Sequence, residues 1–484
     1  MAQPAIESII DASGLSADVS ADDEYDWMFE EERTPEQEAQ AKRYEMREQL
    51  AAEPLEIRGI HFPPVVRAVP YDFEKLLKLF GKFIFVECHF YGLGVFADRV
   101  VEIHFDNCVF HNDWVVTESH AFGDSKPLFD ECTFHQKVIF DGDKLGPASL
   151  RDYDGIFGGS DIEQLVLTDF TLDVALFQEN HLADFCIRSI KINRCKIEAQ
   201  FIATRLTGLN VFECKSTVFS KKLMLHCCQV GHLRLIDTNC EGLASFYESN
   251  FHEVLARKCL FSNQALFVKC RFGSDQPQQT VAFEEVTFES SISFRKSEFY
   301  CPLSMRSTDR QGQPNFLDTT FTQPALAKMD RETFRIIKHS FDSVGNRIEA
   351  NKYFAHEMDA YRHELRESDD RADWAIRWER LLLWMNATLS YHGQSYPRAL
   401  LWLGGIISAA GMILARYEEA AGTAQSSLLT TWGGWLNTAA MGFLPLGPFI
   451  ADREHLAFFI LAVTALISVF IWHLLVALRR HSKR

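Results

Sequence analysis

The sequence predicts a β-solenoid, followed by an α-helical connector and a hairpin of two transmembrane helices. Three observations predict this order: a six-residue pattern recurs through the middle of the chain, apolar residues then recur at helical spacing, and two long uncharged segments lie near the C-terminus. Among the 484 residues, the 40 phenylalanines outnumber the 12 tyrosines and 9 tryptophans together. This bias indicates that the fold uses one side-chain shape many times.

The negative charge is concentrated at the N-terminus. The formal net charge is −17, and residues 1–55 hold 15 acidic side chains against four basic ones, a net charge of −11. The other 429 residues therefore carry only about −6. We predict that residues 1–55 form a flexible acidic tail, because a segment with so much charge of one sign cannot bury a core.

The repeat unit is a hexad with the pattern apolar, any, any, small, any, apolar. It reads FVECHF at Phe85–Phe90 and FVKCRF at Phe267–Phe272, and successive copies follow multiples of about five residues with single-residue slips. The other ten copies begin at Phe105, Phe129, Leu165, Ile192, Leu225, Phe246, Ala256, Phe283, Phe294 and Phe316. A period of about five fits neither an α-helix nor a plain strand.

This period is typical of a chain that turns a corner every five residues and closes each coil in four sides. The large residue of a side points inward, and the small residue two places earlier fills the space beside it. Because one coil cannot bury its own interior face, successive coils must stack by backbone hydrogen bonding, about 4.8 Å apart. The repeat region is long enough for roughly ten such coils.

Cysteine is the most frequent residue at the small position. It stands fourth in seven hexads, whereas serine, threonine or valine takes that place in the other five. Small size therefore explains the pattern, since free cysteine packs as a small hydrophobe. The alternative is a stacked thiolate metal site. We expect no disulfide framework, because the N-terminus shows no export signal.

The hexads resemble those of pentapeptide-repeat proteins, which form right-handed quadrilateral β-helices. That family has a central Leu or Phe, with Ala, Cys, Ser, Thr or Val two places before it. The resemblance covers roughly residues 80–325, within a predicted solenoid domain of residues 56–325. The chain departs from the family in its use of mainly Phe and Cys, in its six-residue slips and in an irregular stretch at 141–164.

A helical connector is predicted for residues 326–395. Apolar residues share one helical face in RETFRIIKHSF, in RIEANKYFAHEMDAYRHEL and again from Trp374 to Met385. His356 and Glu357 do not form a zinc motif, since the next histidine, His363, is seven residues on from His356 rather than four. We predict that both face solvent. The segment resembles the connector in bacterial membrane-bound pentapeptide-repeat proteins, which leads to a C-terminal pair of spans.

A membrane domain is predicted for residues 396–484, with spans at 399–415 and 456–478. Both segments lack acidic and basic residues, and basic residues precede the first span and follow the second. The positive-inside rule then puts both termini in the cytoplasm. The resemblance implies a bacterial inner (cytoplasmic) membrane.

The first span has small residues four apart that permit close helix packing. They serve either the second span of the same chain or a homo-oligomer. These residues are Gly404, Gly405, Ser408 and Ala409.

The uncharged segment 425–450 between the spans has three interpretations: an interfacial loop, a re-entrant pore segment or a third span. The resemblance to two-span channels makes five residues pore-loop candidates: Asn437, Thr438, Gly442, Phe443 and Pro445. MGFLPLG stands where a potassium channel has its filter, and no acidic ring is available. Potassium selectivity is therefore not expected.

The sequence favours a membrane-anchored binding or sensing scaffold over a catalyst. We find no nucleophile elbow, phosphate loop or zinc-ligand spacing, and we predict no catalytic residue, cofactor or metal. The expected partners are membrane lipid and a protein bound by the β-helix. The alternative is a gated ion-channel-like or membrane-perturbing effector, such as those of bacterial defence. Mimicry of a nucleic-acid duplex is disfavoured because the acidity lies in the tail, and no nucleic-acid partner is expected.

Overall fold

The computed structural model describes residues 54–62, 82–92, 102–116, 127–143, 155–178, 186–274, 279–367, 374–420 and 457–482, with Lys42, Leu145, Leu150 and Tyr153 as single residues. The predicted acidic tail lies outside this part of the chain except for Lys42 and its last two residues. The chain divides into two compact units, Met1–Lys328 and Met329–Arg484.

The first unit is a β-solenoid of about nine turns, which confirms the predicted fold class. Its strands are short, mostly two to eight residues, because the chain bends at each corner. In chain order, the strands of the described residues are β1 (Leu55–Arg58), β2 (His61–Phe62), β3 (Lys82–Val86), β4 (His89–Phe90), β5 (Glu102–Asp106), β6 (Val109–Phe110), β7 (Trp114–Val116), β8 (Phe129–Asp130), β9 (Thr133–Asp141), β10 (Phe157–Gly158), β11 (Asp161–Thr168), β12 (Thr171–Leu172), β13 (Cys186–Asn193), β14 (Lys196–Ile197), β15 (Phe201–Thr204), β16 (Leu209–Lys215), β17 (Val218–Phe219), β18 (Leu223–His226), β19 (Gln229–Ile236), β20 (Asn239–Cys240), β21 (Ala244–Ser245), β22 (Asn250–Arg257), β23 (Leu260–Phe261), β24 (Ala265–Leu266), β25 (Arg271–Phe272), β26 (Val281–Glu284), β27 (Thr287–Phe288), β28 (Ile292–Ser293), β29 (Glu298–Phe299), β30 (Leu303–Ser304), β31 (Asp309–Arg310) and β32 (Thr320–Phe321).

These strands form parallel sheets in which each strand pairs with a strand of the next coil. Among the described residues the sheet orders are β1-β3-β5-β8-β10, β12-β14-β17-β20-β23-β27-β31 and β15-β18-β21-β24-β28. The largest sheet runs β2-β4-β6-β9-β11-β13-β16-β19-β22-β25-β29-β32, with β7, β26 and β30 paired beside this path. Equivalent hexad residues are in direct register, as Phe251 is with Phe272 and Phe272 is with Phe299.

Direct register stacks the phenylalanine rings on one another inside the solenoid. Phe62, Phe90, Phe110 and Phe134 form one column with ring centroids 4.8, 5.0 and 4.4 Å apart and nearly parallel planes. A neighbouring column meets it edge to face, with the rings of Phe85 and Phe90 at 5.6 Å and 73°. Each such pair adds about 0.5–1.5 kcal/mol to the burial of its apolar area. The repeated shape inferred from the composition is therefore this stacked ring.

In eleven of the twelve hexads, the residue just before the small residue has a left-handed backbone conformation and turns the chain. Glu87, Asn107, Lys258 and Lys269 have φ of 52°, 48°, 54° and 57°. Their amides donate to the next coil, as Lys269 N does to Arg295 O at 2.9 Å. This conformation costs an L-residue about 1–2 kcal/mol. The solenoid offsets that cost at every corner by the hydrogen bonds between coils.

The small residue also donates a hydrogen bond, which size alone does not explain. The Cys259 thiol lies 3.3 Å from the carbonyl oxygens of Leu235 and Arg257. One coil earlier the Thr238 hydroxyl makes the same two contacts, to Cys214 O and Ile236 O, at 3.3 and 3.1 Å. In most hexads the position therefore holds a small side chain with a donor that reaches the carbonyls of its own and the preceding coil, whereas Val286 occupies it by size alone.

The second unit is helical. A short helix, α1 (Gln323–Leu326), ends the first unit, and the second contains α2 (Arg331–Ser343), α3 (Arg347–Glu367), α4 (Trp374–Ser390), α5 (Tyr396–Ala420) and α6 (Ala457–Ser482) in its described part. Asp330 caps α2 by accepting a hydrogen bond from Thr333 N at 2.9 Å. Helices α2 and α3 pack antiparallel, with Phe341 stacked on Tyr353 at 5.6 Å.

The prediction that His356 and Glu357 face solvent is wrong. Glu357 is only 4% exposed and pairs with Arg335 and Lys338 of α2 at 3.2 and 3.3 Å. His356 is half-buried and stacks on Phe334 at 5.5 Å. The carboxylate is buried because two bases on the neighbouring helix compensate its lost hydration.

Replacing Cys259 tests what the small position requires. We expect Cys259→Thr to change the free energy of unfolding by less than about 1 kcal/mol, because Thr238 already occupies the equivalent place. Cys259→Leu overfills the same space and should cost about 1–3 kcal/mol. Urea unfolding of the full chain in detergent measures both. Equal damage from the two variants would mean that the position requires sulfur itself.

Replacing Lys258 tests the left-handed corner. Lys258→Val should lower the free energy of unfolding by about 1–2 kcal/mol, since a β-branched residue tolerates positive φ poorly. Lys258→Asn removes the same charge but accepts the conformation, so it should leave the unfolding midpoint nearly unchanged. If both variants unfold at the same urea concentration, backbone conformation does not limit this position.

Candidate functional site

The first candidate site is the outer surface of five long neighbouring strands, β11, β13, β16, β19 and β22. Inward and outward residues alternate along each strand, so equivalent outward residues form columns across the coils. One column runs Val166, Lys191, Glu213, Arg234 and Leu255. We call the outward surface of these strands the charged face.

Side chains of opposite sign pair between coils on and beside the charged face. Arg188 lies 3.0 Å from Glu163, and Glu253 lies 2.7 Å from His232 Nδ1 and 3.6 Å from Arg234. These groups are substantially exposed, so each pair contributes little to stability. The pattern of signs is therefore available to a partner, and the apolar Val166 and Leu255 lie half-exposed beside it.

At the edge of this face, the ion pair of Arg194 and Asp169 is bidentate, with distances of 2.6 and 2.5 Å. The hydrogen bond from Arg194 holds the pKa of the Asp169 carboxyl below its usual range. Similarly, the hydrogen bonds from Lys269 and Tyr247 lower the pKa of Glu248. Both carboxylates therefore stay charged at neutral pH.

The second candidate site is a column of rings on the outside of the N-terminal coils, which we call the histidine column: His61, His89, Tyr91, His111 and His135. The rings of His61 and His89 stack at 4.3 Å, and those of Tyr91 and His111 at 4.1 Å. His89 Nδ1 lies 3.2 Å from His111 Nε2, so one ring donates a hydrogen bond to the other. Burial and the neighbouring histidines lower the pKa of His89 and of His111.

The sequence did not predict this column, because the histidines are separated by 22 to 28 residues and meet only through the register of the coils. The register of His61 with His89 is direct. The sequence signal that could have indicated the column is a ring-bearing residue next to an inward phenylalanine in successive coils. Examples are HF at Phe62 and HFY at Phe90.

The buried thiols do not offer a reactive site. Burial raises the pKa of Cys228 and of Cys259 to about 11, so both are protonated at neutral pH. All twelve cysteines are free thiols, and ten of them are buried. In the described part of the chain, no group of three or more His, Cys, Asp or Glu side chains could hold a metal ion.

Helices α5 and α6 are long and apolar enough to cross a membrane. Their most apolar windows are Tyr396–Ile413, with mean hydropathy 1.2, and Leu461–Arg479, with mean hydropathy 2.4. The helices pack on each other through Leu403 and Ile407 of α5 and Ile467 and Phe470 of α6, and Leu389 of α4 joins this cluster.

The small residues of the first span lie away from that cluster. Gly404, Gly405 and Ala409 are exposed, and Ser408 is half-buried. No neighbouring atom lies within 4 Å of a Cβ added at Gly404 or Gly405. Their role in packing between copies stays a prediction. The pore-loop candidates Asn437, Thr438, Gly442, Phe443 and Pro445 lie outside the described residues.

A polar junction connects α3, α4 and α6 around the turn between α4 and α5. Ser390 Oγ lies 3.5 Å from His473 Nδ1 of α6 and accepts from Gly393 N at 3.0 Å. His392 lies 3.3 Å from Asp359 of α3. Burial is the largest single influence on the Asp359 carboxyl and raises its pKa, but the hydrogen bond with His392 and the charges of His392, Arg362 and His356 together lower the pKa below its usual value.

The chain matches no protein-family model, no curated protein and no solved structure. The fold defines its class as a β-solenoid followed by helices, two of which are candidate membrane spans. The relation to pentapeptide-repeat proteins stays a resemblance.

Acidification should loosen the N-terminal coils selectively. Because the folded state lowers the pKa of His89 and His111, the unfolded chain binds protons first as the pH falls below about 6.5. The contribution of these rings to stability is complete above that pH and declines below it. We expect hydrogen exchange in 82–92 and 102–116 to accelerate between pH 7.5 and 5.5, after correction for intrinsic rates.

His89→Gln combined with His111→Gln should abolish most of this acceleration, because neither amide is protonated in that range. His252→Gln, an exposed histidine of a later coil, is the matched control and should leave it unchanged. An equal acceleration in residues 229–257 would show that the effect is global and independent of the column.

Proposed function

We propose that the protein is a membrane-anchored scaffold whose charged face binds a protein partner. The observation that carries the proposal is the set of five long strands on which charges of both signs form columns beside the half-exposed Val166 and Leu255. Protein interfaces combine apolar patches with polar rims in this way. A nucleic acid would instead require a strongly basic surface. We accordingly propose a binding protein rather than a catalyst.

Helices α5 and α6 would hold the scaffold in the bilayer. Both expose large apolar side chains, including Leu401 at 75% and Trp472 at 60%. Such exposure is unfavourable in water but suits contact with lipid. The basic residues before α5 and after the apolar part of α6 favour cytoplasmic termini, and the proposed compartment is the bacterial cytoplasmic membrane.

Carbonate washing of membranes from expressing cells tests the anchor, and the intact chain should stay in the membrane pellet.

Charge reversal tests the charged face. Lys191→Glu combined with Arg234→Glu should reduce recovery of a crosslinked protein partner from detergent-solubilised membranes by at least about tenfold, since two favourable contacts become repulsive.

The matched control is Lys221→Glu combined with Lys222→Glu, which introduces the same charge change in exposed residues between β17 and β18. It should leave partner recovery unchanged. If both double variants recover the same partners in the same amounts, the charged face is not the binding surface, whatever the result of the carbonate wash.

A further inference from the structure

Helix α4 carries an exposed apolar face that the connector interpretation does not explain. Trp374, Trp378 and Leu382 are 69%, 44% and 56% exposed, and Leu381 is 40% exposed. Residues at these spacings lie on one side of an α-helix. The indole rings of Trp374 and Trp378 meet edge to face at 5.2 Å. This face is therefore a continuous aromatic and aliphatic surface.

Further along α4 the same side of the helix packs on the two candidate spans. Met385 and Leu389 continue the spacing of Trp378 and Leu382, and they contact the cluster formed by α5 and α6. The apolar face of α4 thus points toward the spans at its C-terminal end. At its N-terminal end it extends past them, uncovered among the described residues.

The opposite side of α4 faces α3. Glu379 Oε1 accepts a hydrogen bond from the Tyr361 hydroxyl at 2.7 Å, and Arg380 donates to the carbonyl oxygen of Leu365. One side of α4 therefore packs on α3 through polar contacts. The other side is the one that contacts α5 and α6 at the C-terminal end of the helix. A helix of this composition, with tryptophan and leucine on one face, is typical of the membrane interface.

The depth of α4 relative to the spans agrees with that position. Ser390, the last residue of α4, contacts His473, which follows the exposed Trp472. Trp472 lies seven residues, or roughly 10 Å of helix, before Arg479 at the end of the apolar window. Tryptophan is enriched near the ends of membrane spans, at the level of the headgroups. The C-terminal end of α4 therefore lies at the same level.

We propose that α4 is a third membrane element, which lies along the bilayer interface with Trp374, Trp378, Leu381 and Leu382 in contact with lipid. The inference rests on the proposed membrane anchorage. Arg377 is exposed beside the apolar face, and basic residues there are attracted to a membrane surface that contains anionic lipid. The helix would hold the α2–α3 pair against the membrane surface.

Fluorine NMR of the full chain labelled with 5-fluorotryptophan, in nanodiscs of phosphatidylcholine and phosphatidylglycerol, tests the contact directly. Trp→Phe variants assign the resonances. A lipid spin-labelled near the headgroup should reduce the Trp374 and Trp378 signals by at least about half, whereas an aqueous gadolinium chelate should leave them nearly intact. Trp114, buried in the solenoid, should respond to neither reagent.

The resonances of Trp402 and Trp472 separate this inference from the anchorage. If the lipid label broadens these two but spares Trp374 and Trp378, α4 does not lie in the interface although the spans are inserted. If the label spares all four, the anchorage itself is wrong. Protection of Trp374 and Trp378 from both reagents would mean that protein covers the face, which also overturns the inference.

Hydrogen exchange of residues 374–384 in the same nanodiscs provides a second measurement. Trp374→Ser combined with Trp378→Ser should accelerate exchange at least about tenfold, because the helix loses its lipid contacts. Trp384→Ser is the matched control, since Trp384 is 51% exposed but lies on another side of α4. If hydrogen exchange accelerates equally in the two variants, the acceleration reflects lost helix propensity rather than lost lipid contact, and the inference is contradicted.

Discussion

The inward side chains of each coil are buried largely by the coils above and below it, and the rest of the first unit depends on that constraint. A single coil cannot enclose its own apolar residues, so each ring is buried by the rings directly above and below it. This requires direct register between coils. Direct register in turn requires equivalent sides of successive coils to turn at equivalent residues. The left-handed residue and the small residue that follows it recur at equivalent places in successive coils and so repeat the same turn of the chain.

The sequence predicted the parts of this arrangement that are selected by shape. Inward residues must be large and the residue two places earlier must be small, so both positions leave a visible pattern in the hexads. The left-handed corner leaves only a weak one: Glu87, Asn107 and Lys269 are all polar and not β-branched, but they differ in charge and size. Since the hydrogen bonds between coils offset the local strain, the sequence is not forced to use glycine there. A preference for polar residues that are not β-branched is shared by ordinary exposed positions, so it could not identify these corners from one chain.

Contacts between segments that are distant along the chain also could not be predicted from the sequence. The histidine column joins residues more than twenty positions apart, and Glu357 is buried because Arg335 and Lys338 approach it from another helix. In both cases the local pattern is that of an ordinary exposed polar residue. The apolar stripe of α4 shows the converse limit, because helical spacing predicts a face but not what the face contacts. Its C-terminal part is buried in the described structure and its N-terminal part is not.

The polar junction adds a constraint on the helical unit. Buried polar groups are costly unless they are paired, and here Ser390, His392, Asp359 and His473 compensate one another across three helices and the turn that follows α4. The turn itself has positive φ at Tyr391, His392 and Gly393, a conformation that the surrounding contacts must maintain. Displacing α3 would break the bond of Asp359 with His392, and the turn holds Ser390 against α6. Helix α3 and the second candidate span are therefore both connected to the end of α4 through hydrogen bonds, in addition to the apolar contacts.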